Sequence, residues 1–385
     1  MSANGAEPLS ADDVSAVLRD CVDSRDVPGL LAVVTDVDRI VYTGAFGTAQ
    51  RRNAIAMAPD TVFRIASMTK LMTSAAVMML VDEGSVQLEK PLSAYVPGYR
   101  QPEVLVSLDE ETGRFTTRPA QSEITIRQLL THTSGYGYWF LDRVLLRLLD
   151  DPPDLLNPPF LIDEPGARFH YSTSTDVLGQ LIEPVSGEPL AAFLAQRLFL
   201  PLGMRDTGFD PPSSQDRLAS VFVRGEDGFS ELPLEDRGQA PRGGGGLYSS
   251  ADDFCRFLRM FLNRGAVAGK QLLSEAACRE MTRNQVGDRI AHVQTSALSE
   301  RSNDFVFMNG TQKFGLGLAI ETRDQPYGRP AGSGSWAGIY NTYFWIDFAN
   351  EFAAAIFMQV QPFADNYCVE TYRRFEQALY ACLRS

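Results

Sequence analysis

A serine hydroxyl three residues ahead of a lysine amine can carry out acyl-transfer chemistry when both lie on one helix, because residues three apart share a face. Ser67-Met68-Thr69-Lys70 has that spacing. A serine is a weak nucleophile until a neighbouring base takes its proton. A lysine becomes such a base where desolvation or a nearby cation lowers its pKa. The apolar flanks Ile65, Ala66, Leu71 and Met72 suit desolvation, and the strand-like Val62-Phe63-Arg64 delivers Ser67 to a helix start, where free N–H groups favour developing negative charge. Spacing alone does not decide the matter. Chance produces S-x-x-K in roughly one chain in four of this composition, and an N-cap serine with a solvated lysine has the same spacing.

Two further groups have matching chemistry. Tyr171, in Phe169-His170-Tyr171-Ser172-Thr173, could shuttle protons if a lysine ammonium eases its ionisation. As one of 13 tyrosines it could equally pack a domain boundary. Gly332-Ser333-Gly334-Ser335-Trp336-Ala337-Gly338 leads into a strand-like run, and a small-residue strand edge lets a substrate lie against the backbone with an N–H aimed at its carbonyl oxygen. A Gly-rich hairpin turn reads the same way. Tyr136, Tyr138, Trp139 and Phe140 could wall an acyl or aryl pocket, or simply fill core. Other chemistries find little support. His132 lacks a G-x-S-x-G elbow to serve, His170 and His292 have no metal-ligand spacing, and the run 243–246 of four glycines lacks the Gly-Lys-Ser/Thr of a phosphate loop. No metal and no cofactor is implied.

Positioning these groups requires a sheet and helices from distant parts of the chain. Ser10 with Asp13 forms a cap signature before Val14, Val17, Leu18, Cys21 and Val22 at helical spacing. Residues 30–34 and 40–42 read as a hairpin, 67–83 as a helix stopped by Gly84, and 251–262 as a helix. Near the C-terminus, 315–322, 340–347 and 353–360 read as consecutive strands, closed by an amphipathic helix over 369–383. Residues 85–240 instead carry short helical patterns such as 126–130 and 190–199, cut by Pro-rich loops including Asp151-Pro152-Pro153 and Pro211-Pro212. The expected fold class is α+β: an antiparallel sheet flanked by helices, built from 1–84 and 241–385, with a mostly helical domain over 85–240 and the active site in the cleft between them.

The composition bounds partners and compartment. The 385 residues carry a formal net charge of −13, which argues against nucleic acid and anionic lipid. There is no secretory signal pattern, no apolar run of membrane-spanning length, and five widely spaced cysteines with no C-x-x-C. These features predict a soluble cytoplasmic protein with a small-molecule substrate.

Taken together and in order, the motifs resemble those of the class C β-lactamases, the DD-peptidases and, more closely, the family VIII carboxylesterases. The resemblance runs from about Asp13 to the C-terminal helix. It rests on Phe63-Arg64-Ile65-Ala66-Ser67-Met68-Thr69-Lys70, Leu130-Thr131-His132-Thr133-Ser134-Gly135, Glu164-Pro165-Gly166 with Tyr171-Ser172, Pro201-Leu202-Gly203-Met204 and Gly244-Gly245-Gly246-Leu247-Tyr248-Ser249-Ser250. It implies an esterase with Ser67 as acylated nucleophile, Lys70 as proton-transfer partner, Tyr171 as base in acylation, and the backbone N–H groups of Ser67 and Trp336 as oxyanion hole. Tyr136, Trp139, Phe140, Ser333, Gly334 and Ser335 are the expected substrate contacts. Two positions depart from the pattern: Thr173 stands where Tyr-x-Asn has its amide, and Ser333-Gly334-Ser335 where β-lactamases carry Lys-Thr-Gly. With that cation missing and Arg329 the nearest candidate to replace it, a neutral short-chain or aryl ester is expected to be favoured over a β-lactam. Acyl transfer, amide or D-peptide cleavage with the same nucleophile, and a non-catalytic scaffold are the other readings.

Overall fold

The computed structural model describes residues 11–109, 111–148, 160–234, 240–326 and 328–384. Its centre is an eight-stranded antiparallel sheet. The strand order is Lys313–Phe314, Ala319–Ile320, Gly334–Gly338, Thr342–Asp347, Phe352–Phe357, Gly29–Asp36, Ile40–Gln50, Ile55–Ala56. The two ends of the chain therefore meet inside one sheet, with Leu31 opposite Phe357 and Val34 opposite Ala354.

Strand alternation explains how helices cover both faces. Tyr343 and Trp345 point to one face, where Tyr372 stacks on Tyr343 at 4.5 Å and Phe375 meets Trp345, both from the C-terminal helix Asn366–Arg384. Phe344 points the other way and meets Phe254 of the helix Ala251–Leu262. With both faces covered, the strand Phe352–Phe357 is apolar and buried throughout, and its run of three alanines admits the helices closely.

Most of the expected elements are present, including the helices Ala11–Asp23 and Ala251–Leu262. Gly84, at φ 76°, follows the helix Thr69–Asp82. That helix is apolar around its whole circumference, and so it is buried rather than amphipathic. Two stretches differ from the expectation. Residues 315–322 form only the short strand Ala319–Ile320, because Gly317 turns the chain at φ 104°. In the middle region, Glu103–Leu108 and Phe115–Pro119 form an exposed hairpin. The expected cap at Ser10 and the loop Asp151-Pro152-Pro153 lie outside the described residues. Among the described residues no helix is long and apolar enough to cross a membrane.

Candidate active site

The turn that carries Ser67 is held from both sides. The strand Val62–Arg64 pairs with Tyr248–Ser250, and the Ile65 N–H donates to the Leu247 carbonyl at 3.0 Å. Ala66 then adopts a left-handed φ of 45°, a conformation costing an L-residue on the order of 1–3 kcal/mol. It turns the chain into the 3-10 segment Ala66–Met68, which runs into the helix Thr69–Asp82. Ser67 thus lies in the first helical turn, where amide N–H groups lack intrahelical partners. On the far side, a Cβ on Gly338 would sit 2.4 Å from the Ile65 carbonyl oxygen. Only glycine lets this strand come so near the Ser67 turn.

Lys70 is 1% exposed, and three acceptors surround its Nζ. It donates to the Gly244 carbonyl at 2.6 Å, the Tyr138 hydroxyl at 2.9 Å and Ser67 Oγ at 3.3 Å. The rings of Tyr138 and Tyr171 each lie 5.2 Å from the same nitrogen. With two hydrogens fixed by Gly244 and Tyr138, the remaining direction on the nitrogen faces Ser67. Occupied by a lone pair it receives the serine proton, and occupied by N–H it holds that proton.

Tyr138 was read from the sequence only as one aromatic among four. Burial pushes its phenol well above the ordinary value, and the nearby Asp176 carboxylate and Tyr171 push in the same direction. It therefore stays protonated, receiving from Lys70 and donating toward Asp176. Asp176 sits in the first turn of the helix Ser174–Ser186, accepts the Gly244 N–H at 3.0 Å and lies 3.8 Å from Arg242. The glycine run has a steric cause: a Cβ at Gly243 would fall 2.1 Å from the Thr175 carbonyl oxygen, and one at Gly244 would fall 2.2 Å from Asp176.

Tyr171 is 3% exposed. Its hydroxyl receives a long 3.4 Å bond from the Trp336 indole, and its ring packs against His132, Tyr138, Trp336 and Phe305. Thr173 lines the cleft, and its hydroxyl has no hydrogen-bond partner among the described residues. His132 is structural: buried, with Nδ1 accepting from the Ser172 N–H at 3.3 Å.

Several expected positions are corrected by this geometry. Trp139 and Phe140 line the cleft of about 430 Å3, but Tyr136 is packed in the core outside it. Ser333, Gly334 and Ser335 do not line it either; Gly334 faces Leu318 and Phe348. The strand segment at the cleft is three residues later, Trp336-Ala337-Gly338. The glycine that marks it is Gly338 against Ile65, a contact invisible in a run of small residues. The Trp336 amide is likewise misplaced for an oxyanion. Glu321 N–H donates to the Ser333 carbonyl at 2.9 Å, so odd-numbered residues of this strand turn their backbone polar groups toward Ala319–Ile320. Trp336, opposite Phe344, turns its amide into the ladder on the other side. Ala337 and Ile339 have the open direction, past the end of Ala319–Ile320, and both line the cleft. Arg329 does not reach: it is buried against Glu376, with Nε and an Nη bonding its carboxylate at 2.8 and 2.7 Å. The cleft nonetheless contains cations that were not anticipated, Arg64, Arg242 and Arg301.

The beta-lactamase family profile matches residues 14–379. The chain belongs to the beta-lactamase family. Esterase EstB from Burkholderia gladioli is 31% identical, over 87% of this chain and 86% of its own. Monacolin J acid methylbutanoyltransferase from Aspergillus terreus is 28% identical, over 99% and 97%. Among solved structures, the LovD6 mutant of simvastatin synthase from Aspergillus terreus superposes with a TM-score of 0.83 at 26% identity, covering 100% of both chains. This beta-lactamase-family chain has the fold of the β-lactamases and transpeptidases, and it is a serine hydrolase or acyltransferase type of enzyme.

Proposed function

We propose that this enzyme cleaves carboxylic esters through an acyl-enzyme on Ser67, as a serine carboxylesterase of the family VIII kind. The observation that carries the reading is the Lys70 nitrogen, fixed by Gly244 and Tyr138 so that its free direction meets Ser67 Oγ. Ser67 Oγ attacks the ester carbonyl as its proton passes to Lys70. The N–H groups of Ser67 and Ile339 hold the oxyanion that forms. Tyr171, beside the ammonium, passes its proton to the departing alkoxide and takes one from Lys70, which restores the free amine. Water then attacks the acyl-enzyme as its proton passes to Lys70, and the departing Ser67 Oγ regains a proton by the same route. Trp139 and Phe140 hold the apolar part of the substrate. Among the described residues the five cysteines form no disulfide, and four of them are buried, which supports a reducing compartment such as the cytosol.

Transfer of the acyl group to an alcohol is the second reading. It is favoured by the transferase relative matched across 99% of this chain, and by a cleft whose aromatic walls could exclude water from the acyl-enzyme. One assay set separates the readings: purified wild type and Ser67→Ala with a p-nitrophenyl ester series, with and without an added alcohol, alongside nitrocefin and a D-amino-acid amide. Ester turnover lost in Ser67→Ala supports the acyl-enzyme. Substantial turnover by well-folded Ser67→Ala would overturn it, and dominant ester formation with the alcohol would make the enzyme a transferase.

A further inference from the structure

The protein as a whole is acidic, at −13, yet its catalytic cleft is lined by three arginines and one carboxylate. Two of the arginines are engaged. Arg64 donates to the Ala219 carbonyl at 3.1 Å and lies over the Tyr248 ring, and Arg242, whose Nε lacks a hydrogen bond, is ion-paired with Asp176 at 3.8 Å. Arg301 differs. Its backbone is pinned, with its N–H on the Leu298 carbonyl at 3.0 Å and its carbonyl taking the Phe363 N–H at 3.1 Å. Its side chain has no hydrogen bond or ion pair among the described residues, although its Nε is buried. A buried guanidinium N–H without an acceptor is unfavourable, and native folds rarely leave one unless an ordered water or a ligand completes it. Phe305, Phe307 and Phe363 surround this end of the cleft, lowering the local dielectric and strengthening any charge pairing there.

We propose that Arg301 reads a carboxylate on the substrate: the enzyme's own ester carries a free carboxylate away from the scissile bond, paired to the guanidinium fork at the aromatic end of the cleft. A planar carboxylate matches Nε and an Nη in the two-bond geometry that arginine favours. The inference rests on the esterase reading and names its substrate class, replacing the neutral ester that the absent strand lysine suggested. A net negative surface repels anions, so a local cluster of cations is what draws an anionic substrate to this one place.

The test compares matched pairs of esters in the full-length protein, after subtraction of the uncatalysed rate. One pair varies the acyl part, p-nitrophenyl pentanoate against the p-nitrophenyl monoester of glutaric acid. The other varies the alcohol part, phenyl butyrate against 3-carboxyphenyl butyrate. The charged member of at least one pair should show a kcat/KM about tenfold or more above its neutral partner. Arg301→Gln should collapse that ratio by about tenfold or more, and Arg301→Lys should retain part of it, because charge without the fork remains. Added salt should raise KM for the charged ester and leave the neutral one unmoved in wild type, a readout that needs no variant. Ester turnover with ratios unchanged in Arg301→Gln and insensitive to salt would overturn the role of Arg301 and leave the esterase reading standing. Absence of turnover on all four esters would overturn both.

Discussion

Lys70 depends on geometry rather than charge. A guanidinium cannot lose its proton in the working pH range, and its planar fork does not fit a site built from three converging acceptors. Lys70→Arg should therefore be nearly as damaging to kcat as Lys70→Ala. An arginine variant retaining a tenth or so of the wild-type rate would remove Lys70 from the proton path. Tyr138→Phe keeps the ring and removes one of the three acceptors, leaving a buried Lys70 hydrogen unpartnered. The expected result is a kcat lowered by about tenfold or more, with KM little changed, measured on a neutral aryl ester. That Ser67 and Lys70 meet was legible in the sequence because helical spacing puts them on one face, although spacing by itself assigns neither of them a role. Tyr138 and Asp176 were not, since their pairing joins segments 38 residues apart and only burial makes the phenol and carboxylate matter to each other.

The elements were easier to read than their registration against one another. Period and turn residues predicted the N-terminal hairpin and the C-terminal strands, but nothing local says which glycine faces the nucleophile. Gly334 and Gly338 look alike in the sequence; in the fold one meets the Leu318 side chain and the other the Ile65 backbone. A side chain can move aside, whereas the carbonyl of the residue before Ala66 belongs to the strained turn that aims Ser67. Gly338→Ala should therefore lower kcat by at least about tenfold, and overpacking should reduce stability by about 1–3 kcal/mol. Gly98→Ala is the matched control, since nothing lies within 4 Å of a Cβ there, and it should stay within about 0.5 kcal/mol of wild type. Kinetics and urea unfolding on the two variants check both statements. An active Gly338→Ala enzyme would mean that the strand and the turn move independently.

At the scale of the molecule, one sheet closes the two ends of the chain, and the cleft is built where the glycine run, the helix Ser174–Ser186 and the strand Gly334–Gly338 converge on Ser67. Composition made a globular α+β chain with an acidic surface legible, but a whole-chain charge cannot reveal a cationic cleft, which depends on where Arg64, Arg242 and Arg301 end up. The acid limit of stability also belongs to this scale. His132 is buried behind Tyr171; desolvation first, then the proximity of Lys70 and His170, hold its imidazole well below the usual value. The unfolded chain, with an ordinary histidine pKa near 6.5, binds that proton more readily than the native state. Stability is then fully present above about pH 6.5 and is lost as pH falls toward the depressed folded value, at up to about 1.4 kcal/mol per pH unit. The Glu376 carboxylate is held below its ordinary value by Arg329, against the effect of its burial, so its contribution is lost only in more acid solution, below the usual glutamate range. Urea unfolding at steps between pH 8 and pH 5 should show wild type weakening below about 6.5. His132→Gln, less stable at pH 8 because it disturbs a packed site, should show a distinctly shallower slope over the same interval. Equal slopes in the two proteins would move the acid sensitivity away from His132.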